Sequence, residues 1–107
     1  MKIISLINCP YSMAAEEYFK HIKNKEIITI SRENKEEYKN DKIQTFPQVY
    51  LFNDETNMLL GGFEDSKEIY DNITSTDNID VIMNFLNDKF PNHTRKQNLR
   101  IIEFFVR

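Results

Sequence analysis

One cysteine, Cys9, and two glycines, Gly61 and Gly62, are all that the 107 residues contain of these types. A lone cysteine closes no disulfide within the chain, which agrees with a reducing compartment. Long apolar runs are also missing. A bilayer span takes about 20 apolar residues, and a signal-peptide core about 7–15. The run from Lys2 to Asn8 reaches neither, so neither export nor a membrane anchor is expected and the protein is placed in the cytoplasm. Positive charge is not in excess: the formal net charge is −3. Nucleic acids and anionic membranes call for a basic face, so neither is an expected partner. Asn72-Ile73-Thr74 and Asn92-His93-Thr94 fit the glycosylation sequon, but without an export signal both are read as chance. There is no internal repeat, linker or low-complexity segment.

What is present is an ordinary globular composition, 40% hydrophobic and 29% charged, sufficient for one modest core and one domain. Lys2 to Asn8 is nearly continuous in β-branched and apolar residues, as in a strand buried on both faces. After Pro10, the apolar residues Ala15, Tyr18, Phe19 and Ile22 recur at helical spacing, predicting an amphipathic helix over 11–23. Glu26 to Ser31 is a second β-branched run, so strand, helix and strand form a parallel crossover. Arg32 to Lys42 reads as a short, exposed helix. Pro47 to Phe52 is a third strand, joined through turn chemistry at Asn53-Asp54-Glu55-Thr56-Asn57 to Met58-Leu59-Leu60 in an antiparallel hairpin. Gly61-Gly62 follows, where the scarce glycine marks unusual dihedrals or a close approach. A helix containing Ile69 and Ile73 comes next. Another follows the N-cap pair Thr76-Asp77, with Ile79, Ile82, Met83, Leu86 and Phe90 in register up to Pro91. The whole is one α/β domain over 1–107 with a mixed four-stranded sheet, its core about 2–90.

Cys9 lies where the first strand gives way to the first helix. A free cysteine is often only a buried filler, and Cys-Pro here can be just the end of a strand. The alternative is a working thiolate. A thiol titrates near about 8.5, and a helix N-terminus lowers that to between about 3.5 and 7.5. Cys9 would be the N-cap and Pro10 the first helical residue, with the free amides of Tyr11, Ser12 and Met13 directed at the sulfur. Ser12 adds a hydroxyl able to donate to it. Neither histidine looks catalytic or metal-binding: His21 lies among lysines and His93 in the tail.

Cys9-Pro10-Tyr11-Ser12 resembles the active-site tetrad of the glutaredoxins, usually Cys-Pro-Tyr-Cys. Thr45-Phe46-Pro47-Gln48-Val49-Tyr50-Leu51 is similar to the family's Thr-Val-Pro loop and the strand after it, and Gly61-Gly62-Phe63-Glu64-Asp65 to its Gly-Gly-x-x-Asp element. Three blocks in one order cover residues 2–90. The resemblance implies a thioredoxin-like (glutaredoxin) fold, a mixed four-stranded sheet flanked by helices. It also implies a glutathione-dependent thiol–disulfide oxidoreductase with Cys9 as nucleophile. Pro47 would be cis, and Phe46 would offer its N–H and C=O to the cysteine of bound glutathione. Gly62, Phe63, Glu64 and Asp65 would meet the γ-glutamyl end, and Tyr11 would flank the sulfur.

Two departures from the family shape the expected chemistry. The lysine that commonly precedes the active cysteine is absent, the residues there being Leu6, Ile7 and Asn8; Lys42 or Gln44 would take its place. Serine in the fourth position prevents an internal disulfide, leaving a monothiol cycle on glutathione mixed disulfides. Its expected partners are glutathione and glutathionylated proteins or small-molecule disulfides, with the chain a monomer. One alternative is a [2Fe–2S] cluster shared by two protomers and two glutathiones, since clusters take four thiolates; that class typically has Cys-Gly-Phe-Ser. Another is a dithiol protein carrying an engineered Cys-to-Ser change at Ser12, and a third is a binding module with an inert cysteine. The stretch 92–107, with Arg95, Lys96 and Arg100 before Ile101-Ile102-Glu103-Phe104-Phe105-Val106, extends beyond the family pattern. Its apolar residues either pack on the domain or mark a partner contact.

Overall fold

A computed structural model describes residues 1–52 and 57–106. The turn expected at Asn53-Asp54-Glu55-Thr56 lies outside the described residues. The chain falls into two compact units, Met1–Lys67 and Glu68–Arg107.

The first unit is built on a four-stranded sheet of order β2-β1-β3-β4, with β1 at Lys2–Leu6, β2 at Glu26–Ile30, β3 at Gln48–Phe52 and β4 at Asn57–Gly61. β1 and β2 run parallel, Lys2 opposite Glu26 and Leu6 opposite Ile30. β1–β3 and β3–β4 are antiparallel, with a bulge between Val49 and Tyr50. The central position of β1 explains its unbroken apolar run: Ile3, Ile4 and Ser5 are all buried, whereas the edge strand β2 buries only Ile30. Helix α1, Pro10–Tyr18, connects the two parallel strands and lies against β1, burying Ala15 and, at its C-cap, Phe19. This mixed sheet with one parallel crossover and an antiparallel hairpin is the thioredoxin-like α/β fold.

Several boundaries differ from the sequence expectation. α1 stops at Tyr18 rather than Lys23, and residues 20–25 form turns. There the Lys25 ammonium donates to the carbonyls of Lys20 (3.4 Å) and Ile22 (2.9 Å), supplying a partner where helical bonding has ended. The exposed helix expected over Arg32–Lys42 is a 3₁₀ turn, Arg32–Asn34, followed by the single-turn α2, Lys35–Tyr38. Pro47, lacking an amide to pair, stands just before β3 instead of within it.

α3, Phe63–Thr74, begins in the first unit and continues into the second, where Ile69 and Ile73 are fully buried. α4 is Ile79–Lys89, capped not by Thr76-Asp77 but by Asn78, whose side-chain oxygen accepts from the amides of Asp80 (3.0 Å) and Val81 (3.3 Å). The tail forms a further helix, α5, Arg95–Val106. It opens on a capping box: the Thr94 amide donates to Gln97 Oε1 (2.8 Å) and the Gln97 amide to Thr94 Oγ1 (3.2 Å), so two amides left open by the helix are satisfied reciprocally. Ile101, Ile102 and Phe105 are buried, and Phe105 meets the Tyr70 ring edge-on at 5.4 Å. Asn98, fully buried, donates to Asn87 Oδ1 (3.0 Å) while its own Oδ1 lies 3.0 Å from His93 Nδ1; His93 stacks on Phe90 at 4.3 Å. Among the described residues, no helix is long and apolar enough to cross a membrane.

Candidate functional site

The site lies where β1 ends. Ile7 remains in the sheet through its amide, which donates to the Ile30 carbonyl at 2.9 Å. The chain then turns, with Asn8 at a φ of 59° and the Cys9 amide donating to Leu6 O at 3.2 Å. Asparagine is among the few side chains that adopt positive φ readily. Cys9 is therefore placed in extended conformation as the N-cap of α1, with Pro10 at the first helical position. Proline suits that position because its missing amide would have had no partner there.

Cys9 is half-buried. Burial raises its pKa, but the backbone amide and hydroxyl of Ser12, the Tyr11 amide and the charge of Arg32 act against it, and the balance leaves the thiol below its ordinary value. No side-chain hydrogen bond of strict geometry closes the cap, so the amides act on the sulfur mainly as oriented dipoles. Ser12 is fully buried, and its Oγ accepts the Leu6 amide at 3.0 Å. That bond occupies an oxygen lone pair and leaves the hydroxyl proton for the sulfur. The same helix is fixed to β1 a turn later, where the buried Ser5 hydroxyl donates to Glu16 Oε2 at 2.7 Å.

Opposite the sulfur stands the loop before β3. The Phe46–Pro47 peptide is cis, as the resemblance implied, and the Phe46 carbonyl lies 3.9 Å from Cys9 Sγ. A buried glutamine holds the loop in place. Gln48 donates to the Tyr38 carbonyl (2.8 Å) and accepts from the Tyr50 hydroxyl (2.9 Å), and Asn40 Oδ1 accepts the amides of Lys42 and Ile43 at 2.9 and 3.1 Å. Lys42, Gln44 and Thr45 are exposed on this loop, and Pro47 is buried.

The two glycines complete the surroundings for different reasons. Gly61 has a φ of +114°, and a Cβ there would meet Asp65 Cβ at 2.7 Å. Gly62 faces the other block, a Cβ there lying 3.6 Å from the Pro47 carbonyl. The Gly62 carbonyl accepts from the Ser66 amide (3.1 Å) and hydroxyl (2.7 Å), which fixes the start of α3. Glu64 and Asp65 are exposed in its first turn, and the Phe63 ring packs edge-on against Tyr18 at 6.0 Å.

A contact therefore joins Cys9 to Phe46, Gly62 has room for a Cβ only up to the Pro47 carbonyl, and Tyr11, 60% exposed, stands beside the sulfur on α1. No contact among the described residues joins Lys42 or Gln44 to Cys9. Among the described residues, the cation whose charge lowers the Cys9 pKa is Arg32, the smallest of the effects named above, and it lies outside the three sequence blocks. Its signal lies in the pairing of β1 with β2, not in any local motif. Asn40 and Gln48 were also not foreseen as supports of the loop. Among the described residues, no three His, Cys, Asp or Glu side chains converge as a metal site. No protein-family model matches the chain, and comparison with curated proteins and with solved structures gave no match.

Proposed function

We propose that the protein is a glutaredoxin-type oxidoreductase that exchanges glutathione mixed disulfides by a monothiol route, with Cys9 as the nucleophile. The observation that carries this is the placement of a pKa-lowered Cys9 at the N-terminus of α1, 3.9 Å from the Phe46 carbonyl on a cis-proline loop. A thiolate is required because it, and not the thiol, attacks a disulfide.

In the proposed cycle, the Cys9 thiolate attacks the glutathione sulfur of a mixed disulfide. A Cys9–glutathione bond forms, the substrate's S–S bond breaks, and the substrate sulfur leaves as a thiolate that takes a proton from solvent. A second glutathione thiolate then attacks the Cys9 adduct, releasing glutathione disulfide and restoring Cys9. One free glutathione is consumed per turn: its sulfur is oxidised into glutathione disulfide as the substrate sulfur is reduced to the thiol, and the other half of that disulfide is the glutathione the substrate carried. The backbone of the half-buried Phe46 would hold the cysteine of the bound glutathione by strand-like pairing. The first turn of α3, with Gly62, Phe63, Glu64 and Asp65, would take its γ-glutamyl end, amides meeting the carboxylate.

The test is the rate of Cys9 alkylation against pH on the folded protein, with and without pretreatment by glutathione disulfide. The expected result is a midpoint below about 8.5, the ordinary thiol value, together with protection and a mass gain of one glutathione after pretreatment, both abolished in Cys9→Ala. An unshifted midpoint with no adduct would overturn the reading.

A further inference from the structure

We infer that Arg32 is the anion-recognising residue of the Cys9 site, taking a carboxylate carried by the disulfide substrate beside the sulfur under attack. This rests on the oxidoreductase reading above and adds to it a residue that the tetrad and the two other sequence blocks do not contain.

The argument begins with strand register. β1 and β2 are parallel with Leu6 opposite Ile30, and neighbouring strands lie about 4.8 Å apart, so both chains leave the sheet at one corner. From Leu6 the chain turns through Asn8 and returns, the Cys9 amide bonding to Leu6 O at 3.2 Å. From Ile30 it continues through the extended Ser31 to Arg32 at the start of the 3₁₀ turn. The nucleophile and the guanidinium thus come off adjacent strand ends, on the carboxyl side of a parallel pair, where open α/β sheets place their ligands.

The state of the guanidinium is the second observation. Lys20, Lys39 and Lys89 are each paired with a glutamate, but among the described residues no carboxylate pairs with Arg32, which is exposed. Its charge nevertheless reaches the Cys9 sulfur, which Lys42 does not. A guanidinium offers a planar fork that matches a carboxylate in two parallel hydrogen bonds. A glutathione disulfide carries such carboxylates on the two residues that flank each reacting cysteine. Arg32 would therefore favour anionic disulfides over neutral or cationic ones of equal reactivity.

Two alkylating agents of one leaving group and similar size separate this from thiol activation: iodoacetate, an anion, and iodoacetamide, which is neutral. Their rate constants on Cys9 are measured above its alkylation midpoint, so that the thiolate is fully formed in every variant, with circular dichroism as the check on folding. Arg32→Gln should lower the iodoacetate-to-iodoacetamide ratio by about threefold, the size expected of an exposed charge pair, and Arg32→Lys should retain most of it. Lys23→Gln, with the same change in net charge at an exposed lysine outside the site, should leave the ratio unchanged. High salt should compress the difference. An unchanged ratio in Arg32→Gln overturns the inference. A companion measurement isolates the underlying reading: adduct formation from glutathione disulfide, which bears carboxylates, against cystamine, which bears none. If the wild type forms no glutathione adduct, the oxidoreductase reading fails while the alkylation ratio still decides Arg32. If adducts form but Arg32→Gln slows both disulfides equally, the Arg32 assignment fails and the oxidoreductase reading stands.

Discussion

Gly61→Ala offers the sharpest test of the packing at the start of α3. Two costs follow from the structure. The first is conformational: with φ at +114°, Gly61 occupies backbone space that side chains rarely enter, and forcing alanine there costs about 1–3 kcal/mol. The second is steric. The new Cβ would fall 2.7 Å from Asp65 Cβ and 2.8 Å from Asp65 Oδ2. The carboxylate can rotate away, but the Asp65 Cβ is fixed to the backbone of α3, so the strand end or the helix must move, at about 1–3 kcal/mol. Together they give about 2–6 kcal/mol, a large part of the about 5–15 kcal/mol expected for a domain. Urea unfolding followed by circular dichroism should show the loss as a lower midpoint at constant slope. A double-mutant cycle separates the two terms. Asp65→Gly removes the opposing Cβ, itself costing about 1 kcal/mol in helix propensity, and in that background Gly61→Ala should lose only the conformational part. Asp65→Ala keeps the Cβ and should give no relief. A loss below about 0.5 kcal/mol for Gly61→Ala, or the full loss persisting in Asp65→Gly, would refute the reasoning.

Other perturbations follow from the same geometry. Ser12→Ala should move the midpoint of Cys9 alkylation upward, because a donor to the sulfur is lost, and should destabilise by about 1–2 kcal/mol because the Leu6 amide loses its acceptor; an unmoved midpoint would assign Ser12 a structural role alone. Gln48→Leu should cost about 2 kcal/mol by leaving the Tyr38 carbonyl and Tyr50 hydroxyl without their partner, read from urea midpoints. For pH, the sign follows from a folded-state Cys9 pKa below the unfolded one. The folded protein holds fewer protons between the two values, so this contribution to stability is present above the unfolded thiol value and is lost as pH falls through the folded one. The difference in unfolding free energy between wild type and Cys9→Ala should therefore rise with pH in that window, and a flat difference would contradict the lowered pKa.

Much of the first unit was legible because its signals are local. The continuous apolar run of β1 reflects a strand with neighbours on both sides, and Cys-Pro at its end is the chemistry of a helix start. What escaped depends on context. α1 ends early because the chain must turn back in time for Glu26 to stand opposite Lys2, which no residue within the helix announces. Asn78 displaced Thr76-Asp77 as the cap by one position, since all three are competent cap residues and only the first turn of α4 selects among them. The helix α5 was not expected although Thr94 and Gln97 carry its capping box, because the apolar run that follows, Ile101-Ile102-Glu103-Phe104-Phe105-Val106, is too continuous to show a helical period by itself. Arg32 was invisible for a deeper reason: its relation to Cys9 passes through the register of two strands whose paired residues, from Lys2 with Glu26 to Leu6 with Ile30, stand 24 apart in sequence, and register is set by the fold as a whole.

The buried side chain of Gln48 has a thermodynamic consequence for any ligand of the loop. Bonded at once to α2's last carbonyl and to the Tyr50 hydroxyl, with the Asn40 amide 3.4 Å from that same hydroxyl, it ties residues on both sides of Phe46 to the sheet. A loop already held in this way gives up little freedom when a peptide-like molecule pairs with its backbone, so little of the binding free energy is consumed in ordering it. Affinity at Phe46 would then respond chiefly to changes in the ligand. Loosening the glutamine would weaken binding without removing a single contact to it.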